Sequence, residues 1–124
     1  MRILVTGSRH HTDASLVAAA FDRLSPGPHI VVHGLAKGAD ALCAQDADRR
    51  GWRSEGHPAD WSQGRSAGPV RNQHMVDLGA DVCFAFPLRG SRGTFDCAKR
   101  ARAAGIPVWV FRADRRPRIA EGRR

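Results

Sequence analysis

The sequence predicts an α/β protein with a single three-layer domain around a mostly parallel sheet of about five strands. Short apolar runs bounded by glycine and proline alternate with segments whose apolar residues recur at helical spacing, which is typical of strand–helix–strand units. The chain has 124 residues, of which 42% are hydrophobic and 26% are charged. This length suffices for one packed domain and excludes a two-domain enzyme.

The strands are predicted from apolar runs that end at glycine, proline or polar residues. In chain order these runs are Ile3–Val5, Ile30–Val32, Trp52–His57, Val82–Phe86 and Pro107–Phe111. Trp52–His57 is the weakest of these predictions. The polar loop that follows it, residues 58–68, is long for an α/β connection, and loops of that length are often functional.

Helices are predicted between the strands from apolar residues at helical spacing. They cover residues 16–24, 39 to near 51, 69–78 and 94–104. Pro69 suits the first turn of the third helix, where its missing N–H costs nothing, and Gly79 ends that helix. Thr94 is the expected N-cap of the fourth helix, which ends at Gly105.

The net charge is +8, and half of it lies near the C-terminus. Residues 112–124 contain six arginines and two acidic residues. We therefore expect a domain of residues 1–111 followed by a basic, mobile tail of residues 112–124. Such a tail is either a solubilising end or a contact for nucleic acid or an acidic partner.

The cysteines and the apolar runs predict the cellular location of the protein. Cys43, Cys83 and Cys97 lie in apolar segments without a C-x-x-C pair, as expected of buried, reduced thiols in the cytoplasm. The longest apolar runs are too short to cross a bilayer, so no signal peptide, membrane span or membrane partner is expected. The histidines lack the spacing of a metal site, and neither a metal nor a cofactor is predicted.

Glycine-rich and polar segments should meet at the carboxyl edge of the sheet, where ligands bind in open parallel sheets. These segments are residues 7–9, 34–40, 60–72 and 90–94. Neither G-x-G-x-x-G nor G-x-x-x-x-G-K-[ST] occurs in the chain, so the usual dinucleotide fingerprint and the Walker phosphate loop are both unsupported.

Arg71 is the strongest single clue in these segments. A cation in the first turn of a helix faces the positive end of the helix dipole, so an anion is expected nearby. The alternative is an ion pair between Arg71 and a carboxylate such as Asp60. Thr94 and the free N–H groups of residues 93–95 form a second anion cradle, although a helix N-cap without a ligand explains the same residues.

Two acidic residues and one tryptophan are further candidates. Asp40, near a helix start, either complements the helix dipole or binds a ribose hydroxyl. Asp60 and Trp61 either bind ribose and stack a base, or only pack the long loop.

Five motifs in chain order resemble the YspA-type branch of the SLOG superfamily. They are Gly34–Asp40, Pro58–Trp61, Ala67–Met75, Ala80-Asp81 and Gly93-Thr94. The resemblance covers residues 2–111 and implies a Rossmann-like fold. The superfamily includes the lonely-guy phosphoribohydrolases, the DNA-processing protein DprA and many predicted sensors of nucleotide-derived ligands. Its members commonly dimerise, so the resemblance also allows a homodimer.

One element of the lonely-guy enzymes is matched only in part. They carry R-K-x-x-M with a catalytic arginine, and the chain matches this arginine at Arg71 and the methionine at Met75 but has Asn72 in the lysine place. The resemblance therefore implies a functional Arg71 and leaves the second basic position in doubt.

A second element lacks its catalytic residue. The lonely-guy enzymes carry P-G-G-x-G-T-x-x-E, and Cys97 stands at the glutamate position. A neutral thiol cannot stabilise an oxocarbenium-like transition state in place of that carboxylate. Asp96 is adjacent, although one residue along a helix turns its side chain by about 100°. The alternative is that the glutamate is part of a capping box, so that its loss affects helix stability only.

Three functions follow from these observations. The first is binding of a nucleotide or nucleotide-derived small molecule, the second is hydrolysis of the N-glycosidic bond of nucleoside phosphates, and the third is nucleic-acid binding that includes the tail. The catalytic candidates are Arg71 and Asp96. The residues expected to bind the ligand are Gly7, Ser8, Arg9, Gly34, Lys37, Gly38, Asp40, Asp60, Trp61, Arg71, Asn72, Gly93 and Thr94.

Overall fold

The strands form one parallel sheet in a computed structural model of the chain, which describes residues 1–112. Its strands are β1 (Arg2–Gly7), β2 (Ile30–His33), β3 (Arg53–Gly56), β4 (Val82–Phe86) and β5 (Val108–Val110). They lie in the order β3-β2-β1-β4-β5, and each neighbouring pair is parallel. The predicted α/β class and five-stranded sheet are therefore confirmed. Apart from Arg112, the predicted tail lies outside the described residues.

Helices cover both faces of the sheet and complete the three layers. α1 (Ala14–Phe21) and α2 (Ala39–Arg49) pack on one face, and α3 (Ala67–Asp77) and α4 (Arg92–Ala103) pack on the other. A 3₁₀ segment, Trp61–Ser66, leads directly into α3. Within residues 1–112, no helix is long and apolar enough to cross a membrane.

The strands supply side chains to both cores. In β1, Ile3 and Val5 pack with α1 and α2, whereas Leu4 packs with α3 and α4. All the residues of β4 are buried, as expected for a strand that is covered on both faces. Cys43, Cys83 and Cys97 are buried, as predicted, and form no disulfide.

The start of α3 differs from the sequence prediction. The helix begins at Ala67, two residues before Pro69, and Arg71 consequently lies in its second turn. Proline is tolerated throughout a first helical turn, because the N–H groups there have no partner within the helix. The position of Pro69 alone therefore could not give the start of α3.

The ends of α4 and α1 also differ from the prediction. α4 begins at Arg92 with Ser91 as its N-cap, so Thr94 lies inside the first turn. The N-cap must have non-helical backbone angles, and Ser91 has them, with φ −78° and ψ 71°. α1 ends at Phe21, and Leu24 closes a tighter turn by donating its N–H to the Phe21 carbonyl over 3.0 Å.

The strand order places the ends of β1 and β4 side by side. Gly7 lies opposite Phe86 in the register of this pair. The chain leaves β1 towards α1 on one face and leaves β4 towards α4 on the other. The two connections therefore diverge, and a crevice opens at the switch point of the sheet, where ligands bind in folds of this kind.

Candidate functional site

A cavity of about 810 Å³ occupies this crevice and extends towards the end of β3. Its size is within the usual range for small-molecule sites. Many of the residues predicted from the sequence line it together; they are Gly7, Ser8, Arg9, Lys37, Asp40, Trp61, Arg71, Asn72, Gly93, Thr94 and Asp96. Segments that are far apart in the sequence therefore meet in one place.

Three predicted residues lie outside the cavity lining. Asp60 caps the 3₁₀ segment, because its carboxylate accepts hydrogen bonds from the Ser62 N–H and hydroxyl and from the Gln63 amide. Gly34 lies beneath the lining and accepts a hydrogen bond from Arg71 through its carbonyl. Gly38 packs its backbone, with φ of 72°, against the backbone of Ser8 and Arg9. All three support loops at the cavity.

Several residues that line the cavity were not among those predicted to bind the ligand. These residues are Val5, Thr6, His10, Leu35, Ala36, Arg65, Gly68, Pro69, Met75, Gly90, Ser91 and Arg92. Arg65 and Arg92 lie inside segments that the sequence assigned to the sheet edge, so their charge was an available signal. Leu35 also lies inside such a segment, residues 34–40, but its apolar side chain gave no separate signal.

The turn after β1 joins three elements. The Ser8 N–H donates to the Phe86 carbonyl over 3.1 Å, and the Ser8 carbonyl accepts from the Ala39 N–H over 3.0 Å. Gly7 allows this close approach, because a Cβ there would lie 2.3 Å from the Ala39 Cβ. The backbone of the turn is therefore held rigidly against β4 and the start of α2.

Asp40 holds the loop between β2 and α2. Its Oδ2 accepts hydrogen bonds from the N–H of Gly34 over 2.9 Å and from the N–H of Ala36 over 3.3 Å. Burial raises the pKa of this carboxyl to about 6, although both hydrogen bonds and the nearby charge of Arg71 act in the opposite direction. Asp40 is thus a buried acid that is already engaged by the backbone.

Arg71 joins the ends of two strands to α3. Its Nη1 donates to the Gly34 carbonyl over 2.6 Å and to the His57 carbonyl over 3.3 Å, and its Nε donates to the Asn72 side chain over 3.1 Å. The expected alternative, an ion pair with Asp60, is absent within residues 1–112. The guanidinium therefore determines the shape of the cavity wall.

Asn72 and Asp96 continue this network into α4. The Asn72 amide donates to the Asp96 carboxylate over 3.0 Å, and Arg100 donates to the same oxygen over 2.9 Å. Burial acts to raise the pKa of Asp96, but the hydrogen bonds from Arg100 and Asn72 outweigh it and lower that pKa. Asp96 is therefore an ionised, paired carboxylate at the cavity.

Cys97 does not line the cavity. Its side chain is fully buried in the core beneath α3 and α4. Burial raises the pKa of the thiol to about 11, against a smaller opposite effect of its hydrogen bond with Thr6. The residue at the position of the missing glutamate is thus a neutral core thiol.

The cavity has an excess of positive charge. Five cationic side chains line it, Arg9, Lys37, Arg65, Arg71 and Arg92, against the two carboxylates of Asp40 and Asp96. In the part of the chain that the structure describes, none of the five forms an ion pair. The first turn of α4 adds unbonded N–H groups next to the turn after β1. An anion would be favoured here.

The end of the cavity near β3 has a different character. Trp61 is 65% exposed there, and its indole ring lies over Gly68 at the start of α3. Leu35 is 59% exposed and lines the same cavity. Large apolar side chains are thus open to solvent at one end, and Arg9, Arg92 and the free N–H groups of α4 lie at the other.

Comparison with known proteins gives two close matches in sequence. The model of the YspA, cpYpsA-related SLOG family matches residues 1–64. The Gene 61 protein of Mycobacterium phage D29 is 48% identical over 123 aligned residues, with 89% of this chain and 95% of that protein covered.

A solved structure matches in fold. DNA processing protein A (DprA) from Streptococcus pneumoniae superposes with a TM-score of 0.68 at 19% identity, covering 98% of this chain and 52% of that chain. The chain thus spans about half the length of DprA, and the likeness concerns the fold. From the family model and the phage relative together, the chain belongs to the YspA, cpYpsA-related SLOG family.

Proposed function

We propose that the cavity binds a nucleotide or a nucleotide-derived small molecule. The observation that carries this proposal is the group of cationic side chains without ion pairs that lines the crevice at the switch point. Membership of the SLOG family supports a nucleotide-related role. A small domain gains nothing from concentrating unpaired cations in one crevice, whereas an anionic ligand makes them favourable.

The phosphate would bind where two backbone features meet. The turn of residues 7–9 is held rigidly, and the first turn of α4 presents the N–H groups of Gly93 and Thr94 beside it. Backbone N–H groups at a helix N-terminus suit a phosphate, and Arg9 and Arg92 add charge at the same place.

The ribose and the base would lie towards β2 and β3. Asp40 is the acidic side chain at this part of the cavity, so it is the candidate for a ribose hydroxyl. Asp60 is less suited, because its carboxylate is fully exposed and already caps the 3₁₀ segment. Trp61 offers an exposed ring for stacking against the base.

If the cavity hydrolyses its ligand instead of only binding it, one carboxylate is available for the reaction. Hydrolysis of an N-glycosidic bond needs an acidic group at the reacting sugar, and Cys97 lies in the core with a thiol pKa raised to about 11. Asp96 is paired with Arg100 and Asn72. Asp40 is the remaining candidate for catalysis in this alternative, because both hydrogen bonds from its loop go to Oδ2. Release of adenine from adenosine monophosphate measures this activity. We expect release to be undetectable.

Nucleic acid is a second candidate ligand, because four of the cations are exposed at the rim of the cavity. Arg9, Lys37, Arg65 and Arg92 are all exposed, and residues 112–124 carry six more arginines. Contacts of this kind with a phosphate backbone give an affinity that falls steeply with salt. A strong salt dependence of oligonucleotide binding would favour this candidate.

A thermal-shift series tests the proposal. The protein is heated with adenosine monophosphate, adenosine diphosphate, adenosine diphosphate ribose, or adenosine as the uncharged control. A ligand at 100 times its Kd stabilises the fold by about 2.7 kcal/mol, which raises Tm by several degrees. We expect a shift with at least one phosphorylated ligand and none with adenosine.

A pair of arginine variants tests whether the nucleotide binds in the cavity. Arg92→Ala removes a cation of the cavity, and Arg53→Ala removes an exposed arginine at the opposite edge of the sheet, where β3 begins. Loss of a charge-assisted hydrogen bond to phosphate should weaken binding about tenfold or more in Arg92→Ala only. Equal behaviour of the two variants, or no shift with any nucleotide, would contradict the proposal.

A further inference from the structure

Leu35 has a backbone conformation that leucine rarely adopts. Its φ is 57°, and within residues 1–112 it is the one residue other than glycine with a positive φ. A Cβ makes this left-handed conformation unfavourable, and a leucine side chain has no polar group that could compensate locally. Such an outlier indicates that the surrounding structure imposes the conformation, and outliers of this kind cluster at functional sites.

Hydrogen bonds on both sides of Leu35 impose this conformation. Asp40 accepts from the N–H groups of Gly34 and Ala36, the residues on either side of it. The N–H of Leu35 itself donates to His33 Nδ1 over 3.1 Å, and Arg71 donates to the Gly34 carbonyl over 2.6 Å. The loop is therefore held by three successive N–H groups and by the Gly34 carbonyl, which together fix the backbone at Leu35.

The side chain of Leu35 lies across the end of β3. A Cβ built on Gly56 would be 2.6 Å from the Leu35 Cγ and 2.7 Å from its Cδ2, so only a glycine leaves room for it. This position supports one face of the side chain and leaves 59% of the residue exposed at the cavity. The molecule thus keeps an unfavourable backbone conformation and gains no buried core contact from it.

We infer that Leu35 is a specificity-determining residue. Together with Trp61, it forms an apolar surface that contacts the base of the bound nucleotide. This inference rests on the proposed function. Both side chains are exposed in the same cavity. Leu35 lies over the end of the edge strand β3, whereas the proposed phosphate site lies at the ends of the central strands β1 and β4. A flat, largely apolar ring covers exposed aliphatic and indole surface, and a phosphate or ribose does not.

The test compares two probes in titration calorimetry, adenosine monophosphate and ribose 5-phosphate, which lacks the base. Leu35→Gly removes the side chain and suits the positive φ, so its Tm should equal or exceed that of the unmodified protein. We expect affinity for adenosine monophosphate to fall about ten- to hundredfold, as for a lost leucine contact, with affinity for ribose 5-phosphate unchanged.

Three further variants separate the contact from the loop. Leu35→Asn tolerates the left-handed conformation but is polar, and it should lose affinity as Leu35→Gly does. Gly56→Ala lies outside the cavity lining and displaces the Leu35 side chain, so it should also weaken binding of adenosine monophosphate. Val70→Ala, at a residue 61% exposed elsewhere on α3, is the matched control and should change nothing.

The outcomes separate this inference from the proposed function. If the unmodified protein binds both probes and Leu35→Gly binds them equally well, or loses both equally, Leu35 does not recognise the base and the proposed function stands. If the unmodified protein binds neither probe nor any other phosphorylated nucleoside, the proposed function is wrong and this inference falls with it.

Discussion

The two ends of the cavity differ in how their polar groups are used. Around residues 34–40, Asp40 and Arg71 are engaged, since Asp40 bonds to backbone N–H groups and Arg71 bonds to carbonyls. Around residues 7–9 and 90–94, Arg9 and Arg92 have no ion pair within residues 1–112. The engaged groups determine shape, and the free groups are available to a ligand. Changes to Asp40 or Arg71 at the first end should therefore affect stability, and changes to Arg9 or Arg92 at the second should affect binding.

Replacing Arg71 should give the largest effect. Arg71→Ala leaves the carbonyls of Gly34 and His57 without their donor, so the free energy of unfolding should fall by about 3 to 5 kcal/mol. Arg71→Lys should recover only part of this loss, because an ammonium group cannot reproduce the planar guanidinium contacts. Urea unfolding measures the loss. Stability equal to that of Arg53→Ala would show that Arg71 is not a structural residue.

Asp40 should make stability depend on pH. Burial raises its pKa to about 6 in the folded protein, from 3.8 for an ordinary aspartate. A raised carboxyl pKa means that the folded state binds the proton more tightly, so this contribution is present below about pH 4 and is lost as pH rises through 6. The difference amounts to roughly 3 kcal/mol, since the group is almost fully buried.

Asp40→Asn isolates this effect. The amide oxygen of asparagine can still accept from the loop N–H groups, but it does not ionise. The stability of Asp40→Asn relative to the unmodified protein should therefore rise between pH 4 and pH 7. A difference that stays constant over this range, in Tm measured at both pH values, would contradict the raised pKa.

Replacing Arg9 should affect ligand affinity and not stability, in contrast to replacing Arg71. It is exposed, so Arg9→Ala should leave Tm unchanged within the error of measurement. Affinity for adenosine monophosphate should fall about tenfold, as for the loss of one charge-assisted contact with phosphate. Arg23→Ala, at another exposed arginine, serves as control. A drop in Tm without a drop in affinity would remove the contrast between the two ends.

Much of the fold could be predicted from the sequence, because local patterns determine it. Apolar runs alternating with helical segments specify strand–helix–strand units, and these units force parallel strands. The ends of helices were less predictable. A proline fits anywhere in a first turn, and serine and threonine both serve as N-caps, so Pro69 and Thr94 misplaced the starts of α3 and α4 by two or three residues.

A site residue could be predicted only where its side-chain chemistry and its position at the sheet edge both indicated ligand binding. The sheet edge brought Arg71, Asp40 and Thr94 to the cavity because edges of parallel sheets collect loop residues. The roles of individual groups depend on hydrogen bonds that no spacing reveals, such as Asp60 capping its own loop. The role of Leu35 could not be predicted for the same reason, since Asp40 and Arg71 act on its positive φ through hydrogen bonds to the neighbouring residues.

The smallest expected effect concerns the basic tail. A chain ending at Arg112 should keep its Tm and its affinity for adenosine monophosphate, because the cavity is formed by earlier residues. If nucleic acid binds, the shorter chain should bind an oligonucleotide more weakly and with a shallower salt dependence, because arginine contacts with phosphate are lost. Unchanged oligonucleotide affinity would remove the main sequence support for nucleic-acid binding.

The most direct measurement of the central claim is an NMR titration of ¹⁵N-labelled protein with adenosine monophosphate. We expect saturable shifts that are largest at the backbone amides of Gly7, Ser8, Gly93 and Thr94, where the phosphate would bind. The indole N–H of Trp61 should shift along the same binding curve, because the base would lie against its ring. Adenosine should leave the four amides unperturbed. Shifts that do not saturate, or that avoid the residues of both cavity ends, would contradict nucleotide binding at this site.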